Sequence, residues 1–360
     1  MLNAWLKGWG RKLVLVVLLL LALSVFLFCI IGWFRGDYPF SAIYHLLLPV
    51  EVNISETDIP HVSPTSPVLW KGNLENPDLD ELSGLASSSR YPQWLYGIND
   101  SGGEAVIFIM DQTGRHLGEI PVNLDKPRDW EDMASFHTEE GSYLLLADTG
   151  DNLRWRGESQ IHIIDEPNLN MDSLPALKII RPVDVLSTIR FRFAEGPRDC
   201  ESVAVDHLGN IFLLSKRTAV PELYLLEIKI QEALSDLKKD HIYEARLLTL
   251  LKGIPGPTKT DIREDPEYGE YRSMPTALSI SGNRAMVVTY GDAYLYELTE
   301  HTGSHGWEVS FAGNPRRIPL PPVKGREAGT LSFDGQSLFV SGERYEGRGA
   351  QAIYQVILDP

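Results

Sequence analysis

Carboxylates recur along this chain in a pattern that could gather them around one cation. Glu81-Leu-Ser-Gly84, Glu131-Asp-Met-Ala134, Glu201-Ser-Val-Ala204 and Glu327-Ala-Gly-Thr330 each place a glutamate three residues before a Gly, Ala or Thr that leads into an apolar run. Two of them carry a longer match, Pro127-Arg-Asp129-Trp-Glu131 and Pro197-Arg-Asp199-Cys-Glu201. More charged groups follow downstream apolar runs: Asn99-Asp100-Ser-Gly, Asp148-Thr-Gly-Asp151-Asn152, Ser215-Lys216-Arg217, Tyr290-Gly-Asp292 and Ser341-Gly-Glu343-Arg344. Hard oxygen ligands of this kind suit Ca²⁺, which takes about six to eight of them. Glu131, Asp148, Asp151 and Glu201 are the predicted metal ligands. A metal-dependent ester or phosphoester hydrolase is the alternative chemistry, with Lys216, Arg217 or Arg344 stabilising the anionic transition state. In a third reading no ligand is involved, and the glutamates bond backbone amides of neighbouring units.

A repeated motif implies a repeated structural unit. Each glutamate opens a short strand, and a turn leads to a second, strongly apolar strand. The predicted pairs are Ser83–Ser87 with Trp94–Ile98, Met133–His137 with Tyr143–Ala147, Val203–Asp206 with Ile211–Leu214, Thr276–Ile280 with Arg284–Thr289, and Thr330–Phe333 with Ser337–Val340. His207-Leu-Gly-Asn210, Ser281-Gly-Asn283 and Asp334-Gly-Gln336 supply turn chemistry between strands. A third strand follows each pair, and a fourth is visible at His116–Pro121, Thr188–Phe193 and Ala245–Leu250. The last unit has three strands, and Val68–Gly72 is predicted to supply its fourth. The fold class is therefore all-β, a β-propeller of five four-stranded blades closed by an N-terminal strand, with six blades as the rival count. One helix is predicted in this part, about Gln231 to Lys239.

In such a ring the starts of first strands and the exits of second strands share one face. That geometry predicts an acidic channel mouth containing Glu81, Asp100, Asp129, Glu131, Asp148, Asp151, Asn152, Asp199, Glu201, Asp292, Glu327 and Glu343. Lys216, Arg217 and Arg344 join it. Met274 interrupts the ring in the fourth blade. Converging carboxylates repel, so they need a cation, basic partners or protons. Arg128, Arg198 and Arg326 are close enough in sequence to contribute. The acidic loop from Lys252 to Arg272 is placed as a cover on the same face.

Composition bounds the rest. The 360 residues carry a formal net charge of −16, which argues against nucleic acid as a partner and leaves a protein or small-molecule ligand. Residues 13–33 are almost wholly apolar and long enough to span a bilayer. Lys7, Arg11 and Lys12 precede them, so residues 1–12 are expected in the cytoplasm. Residues 34–65, broken by prolines, form the expected stalk, with an apolar patch from Ile43 to Val50 on the membrane surface. Residues 66–360 form the propeller domain on the periplasmic side of the inner membrane. Cys29 and Cys200 cannot pair, because one lies in the apolar span.

Several of these motifs together resemble a bacterial family of uncharacterised extracytoplasmic β-propeller proteins. They are Glu81-Leu-Ser-Gly-Leu-Ala86, Asn99-Asp-Ser-Gly102, Asp129-Trp-Glu-Asp-Met-Ala134, Asp148-Thr-Gly-Asp-Asn152 and Pro197-Arg-Asp-Cys-Glu201. The resemblance covers about residues 75–352 and implies the fold and the location rather than a reaction. Members are grouped with WD40-like and phytase-like propellers, and the latter use calcium-filled acidic channels to hydrolyse phosphate esters.

Overall fold

A computed structural model describes residues 2–48, 52–55, 66–100, 102–169, 181–238, 240–266, 268–303, 306–311, 314–321, 323, 325–344 and 350–359. Helix α1 (Leu2–Arg35) contains 23 residues, Leu13–Arg35, long and apolar enough to cross a membrane. Helix α2 (Pro39–Leu47) follows, with proline in its first turn where no intrahelical N–H is needed. The rest is mostly β.

Strand β1 (Val68–Asn73) precedes the first full sheet, β2 (Leu82–Ser87), β3 (Trp94–Asn99), β4 (Val106–Asp111) and β5 (His116–Asn123). The second comprises β6 (Trp130–His137), β7 (Ser142–Asp148), β8 (Ser159–Asp165) and β9 (Val183–Phe193). In the third, β10 (Cys200–Val205), β11 (Ile211–Ser215) and β12 (Glu222–Leu226) lead through α3 (Ile230–Ser235) to β13 (Tyr243–Leu250), and short parallel pairings of β9 with β5 and with β13 join these three four-stranded groups into one 12-stranded sheet. Helix α4 (Lys259–Glu264) lies in the loop to the fourth sheet. There β14 (Pro275–Ser281), β15 (Arg284–Thr289) and β16 (Asp292–Glu297) are followed by a side hairpin, β17 (Thr299–Gly303) with β18 (Gly306–Ser310), and then by β19 (Arg316–Pro319). The fifth comprises β20 (Ala328–Leu331), β21 (Ser337–Ser341) and β22 (Ala352–Ile357), and β1 completes it, with Val68 opposite Val356 and Asn73 opposite Ala352.

The arrangement is propeller-like. Inner strand β6 touches β2 and β10, β14 touches β10 and β20, and β20 touches β2. Apolar clusters fill each gap between successive sheets, including the gap between the fifth and the first, where Phe339 and Ile353 meet Leu82 and Leu85. This explains the continuous apolar second strands. In β7, Leu144 and Leu146 face the first sheet, while Leu145 and Ala147 face the third. A strand buried on both faces has no polar side to alternate with.

The five strand pairs and the closing strand lie where the sequence places them. Other features depart from expectation. Besides α3, which is shorter than the predicted helix, α2 and α4 occur within segments read as irregular, and α4 is fixed by a capping box between Thr258 and Asp261. The fourth strand of the fourth sheet, β19, was hidden by the hairpin before it. The predicted stalk lies partly outside the described residues.

At the centre sits Asp132, fully buried. Its carboxylate accepts amides from Met133 at 2.8 Å and Val203 at 2.9 Å, with the amides of Leu278 and Leu85 also bonded to it. Burial raises its pKa well above the usual range, and these amides oppose the rise. One side chain thus ties four inner strands together. Leaving a buried amide without an acceptor costs about 1–3 kcal/mol. Asp132→Val should lower the urea unfolding midpoint by at least that equivalent, and a wild-type midpoint would show that these amides do not depend on Asp132.

Candidate functional site

The acidic groups reach the mouth through a repeated irregularity of the first strands. Register shifts interrupt the pairing between Leu82 and Gly84, Trp130 and Asp132, Cys200 and Ser202, and Pro275 and Ala277. The extra residue at each bulge is Ser83, Glu131, Glu201 or Thr276. A bulge turns its extra residue out of the ladder and re-aims the side chain. One residue before the first pair stand Glu81, Asp129, Asp199, Met274 and, in the fifth sheet, Glu327.

The mouth therefore has two tiers, which the sequence repeat merges. Matching Glu81 and Glu327 to Glu131 is a slip of two residues along the strand. Such a slip preserves the alternation of faces, so the hydrophobic pattern gives no warning of it.

Glu131 is the common member of two carboxylate groups. One is Asp100, Asp129 and Glu131; the other is Glu131, Asp199 and Glu201; ligand atoms within each lie within 4.8 Å of one another. Glu131, Asp199 and Glu201 are almost fully buried, and Asp129 nearly so. Lys216 answers part of this charge. Its Nζ is 2.7 Å from Glu201 and 3.2 Å from Glu327, and 5.4 Å above the Tyr290 ring. Burial works against the ammonium, but Glu201 and Glu327 outweigh it and hold its pKa well above normal. Arg217 pairs with Asp199 and stands 3.7 Å from Glu201, Arg156 lies 3.2 Å from Asp129, and the Tyr290 hydroxyl donates to Glu327.

Glu131 has no comparable partner among the described residues. The Ser83 hydroxyl is 3.5 Å from its Oε2, and the remaining side-chain bond is shared with Glu201. Burial first, then Glu201 and Asp100, push its pKa well above the carboxylate range. Burial raises Glu201 to about 7 despite Lys216. Gly150 presses against both carboxylates from below: a Cβ there would fall 2.0 Å from Glu131 Oε1 and 2.6 Å from Asp129 Oδ2. Its lack of a side chain is what lets the loop after β7 close on the acids.

The other predicted residues are placed as follows. Asp148 accepts the amides of Arg128 and Asp129 at 3.0 and 3.1 Å, which occupies it as a turn-forming group. Asp151 accepts the Arg156 amide at 2.8 Å, and burial raises it to about 6. Both therefore stand outside the two carboxylate groups, although they were expected among the metal ligands. Asn152 is exposed, Glu81 is exposed beside Asp80 and Asp100, and Glu343 is half-buried with its pKa raised by burial and Glu327 to about 7. Asp292 lies between Arg272 and Arg317, and Arg344 donates to the Pro77 carbonyl and to Gln351.

Of the expected neutralising groups, Lys216 and Arg217 meet the mouth carboxylates and Arg128 stands 3.8 Å from Asp148, while two others turn elsewhere. Arg198 turns to Glu222, and Arg326 binds carbonyls of Thr289, Tyr290 and Pro321. Arg156 and Tyr290 were not read as site residues. Tyr290 had a detectable signal, since it follows Thr289 as Lys216 follows Ser215 and Asp100 follows Asn99, each at the exit of a second strand. Cys200 is buried and its thiol is pushed up to about 12, so it offers no thiolate.

No family model matches the chain, and no curated protein does. Similar solved structures include a PQQ-bound aldose sugar dehydrogenase from Streptomyces coelicolor, 12% identical with a TM-score of 0.39, over 82% of this chain and 100% of that one. A putative oxidoreductase (glucose dehydrogenase) from Thermus thermophilus is 12% identical with a TM-score of 0.41, over 81% and 100%. A gluconolactonase from Xanthomonas campestris is 9% identical with a TM-score of 0.40, over 87% and 99%. Likenesses this distant carry no conclusion about the site, which rests on its own geometry.

Carboxylates with raised pKa bind protons more tightly in the folded protein than in the unfolded chain. Their contribution to stability is then greatest at low pH and falls as pH rises through about 7, where Glu201 ionises. In cation-free buffer the thermal midpoint should fall between pH 5 and 8, as rough bounds of that window. Glu131→Gln, which cannot ionise, should shrink the fall and raise the midpoint at the alkaline end. An unchanged slope would show that Glu131 does not titrate with this cluster.

Proposed function

We propose that this protein is a membrane-anchored, extracytoplasmic five-bladed β-propeller whose channel mouth binds a divalent cation, Ca²⁺ by its oxygen chemistry, and serves as a binding module. The observation that carries the reading is Glu131: a buried carboxylate shared by two acidic groups, on which Lys216 acts only at longer range and too weakly to offset burial, Glu201 and Asp100. An uncompensated buried charge is costly, so the site must take up a proton or a cation. Asp100, Asp129 and Glu131 are the favoured ligands: Arg156 is paired with one member of this group, Asp129, whereas Lys216 and Arg217 between them answer Asp199 and Glu201. Glu81 and Glu343 add negative potential around Asp100. Blade count and closure are supported by the five inter-sheet cores and by the pairing of β1 with β22. The apolar span with basic residues before it supports the anchor and the side of the membrane.

The hydrolase alternative draws less support. It needs a basic group free to meet a developing anion, whereas Lys216 and Arg217 are committed to carboxylates and Arg344 to the Pro77 carbonyl.

Ca²⁺ should raise the unfolding midpoint over chelator, by the equivalent of about 2.7 kcal/mol at a hundredfold excess over Kd. Affinity should rise with pH, because Glu131, whose pKa is held above the carboxylate range, must give up its proton to bind the cation. Asp129→Asn with Glu131→Gln should abolish the shift in calorimetric titration and thermal melts alike. Equal midpoints with cation and with chelator in the wild type would end the cation reading.

A further inference from the structure

We propose that α2 lies in the membrane interface and that the acidic mouth is held facing the bilayer, so that ligands reach it from the headgroup layer. This inference rests on the reading of α1 as a membrane span. Three residues, Gly36, Asp37 and Tyr38, separate the two helices, and the Gly32 turn of α1 packs against Pro39. Helix α2 contains no Asp, Glu, Lys or Arg, and Phe40 and Leu47 are 68% and 73% exposed. Leu46 and Leu48 extend the same apolar surface. An apolar helix beginning three residues after a span has the bilayer interface as its nearest apolar surface. Interfacial helices bury their apolar side about 5–10 Å into the headgroup and acyl boundary.

The connection fixes the orientation of the β domain. The Tyr38 amide donates to the Trp155 carbonyl at 2.6 Å, the Gly157 amide donates to Asp37 Oδ1 at 3.0 Å, and the Phe28 and Trp155 rings lie 5.7 Å apart. A Cβ on Gly157 would fall 2.1 Å from the Gly36 carbonyl oxygen, so this approach requires glycine. A second attachment joins Ser55 to Pro257 and Gly256, with N–H···O and Oγ···O distances of 2.8 and 3.1 Å. Both contacted loops lie on the mouth side: one carries Asp151 and Arg156, and the other leads through Arg272 to Met274. Arg156, one residue beyond the Trp155 attachment, is the guanidinium paired with Asp129. The turn between β6 and β7, with Glu139, is at the opposite end of the strands.

Quenching by lipid-attached spin labels tests this on the full chain in phosphatidylcholine vesicles. In a Cys29→Ser background, with Cys200 buried, single cysteines replace Leu20, Leu47, Asn152 or Glu139 and carry a bimane fluorophore. The Leu20 probe should lose its fluorescence to spin labels deep in the acyl chains, and the Leu47 probe to labels near the headgroups. Headgroup-labelled lipid should quench Asn152 more strongly than Glu139. A Leu47 probe quenched no more than the Glu139 probe would overturn the interfacial helix. Stronger quenching at Glu139 than at Asn152 would overturn the orientation. Loss of quenching at Leu20 would instead remove the anchor reading, and this inference with it.

Discussion

The ammonium of Lys216 lies between Glu201 and Glu327, joining the third sheet to the fifth across the mouth, and the acidic site depends on it. Without that cation, Glu131, Glu201 and Glu327 would share a low-dielectric space with no counter-charge from this direction. Desolvation would then force several of them to protonate or to move apart. Lys216 and Arg217 instead answer one half of the cluster and leave Glu131 to a proton or a ligand. The asymmetry between the two carboxylate groups gives the site its chemistry.

Polar contacts between blades occur away from this axis, where Glu166 takes Ser88 and Ser89 and Arg192 takes Glu244, as well as near it. Ser83 donates to the Glu131 carbonyl and Thr149 to that of Cys200, both at 2.7 Å. Asp132 binds amides below the mouth. Among the described bonds the repeat glutamates meet across blades through Lys216 and Tyr290 rather than by holding backbone groups of the neighbouring blade, as the amide-bonding reading expects. A serine, a threonine and an aspartate do it, while Glu131 and Glu201 sit on bulges that turn them away from the ladder. Bulges therefore separate two tasks along one strand: holding the ring and presenting charge.

The attachment of the segment that follows α1 adds a further link. One loop, from Asp148 to Gly157, presses on the carboxylates through Gly150, supplies Arg156 to Asp129, and receives Asp37 and Tyr38. The contacts from the segment after α1 and those with the acidic groups fall on the same few residues. The connection between α1 and the β domain is thus part of the site's surroundings as well as a tether.

Much of the fold was legible in the sequence because its physical signals are local. Apolar runs buried on both faces, turn residues between them and the apolar N-terminal span depend on neighbours along the chain, and a count of strands reveals the closing one. The sequence by itself also determined that acids would converge, since equivalent positions of repeated units must come together. It could not separate Glu81 from Glu131, because a two-residue slip leaves the pattern of faces intact and a bulge has no composition of its own. Nor could it show that Asp148 caps amides while Asp129 faces Glu131, or that Arg156 rather than Arg128 makes the closer pair with a carboxylate. Those outcomes depend on which side chains meet across blades tens of residues apart, and only the tertiary structure decided them.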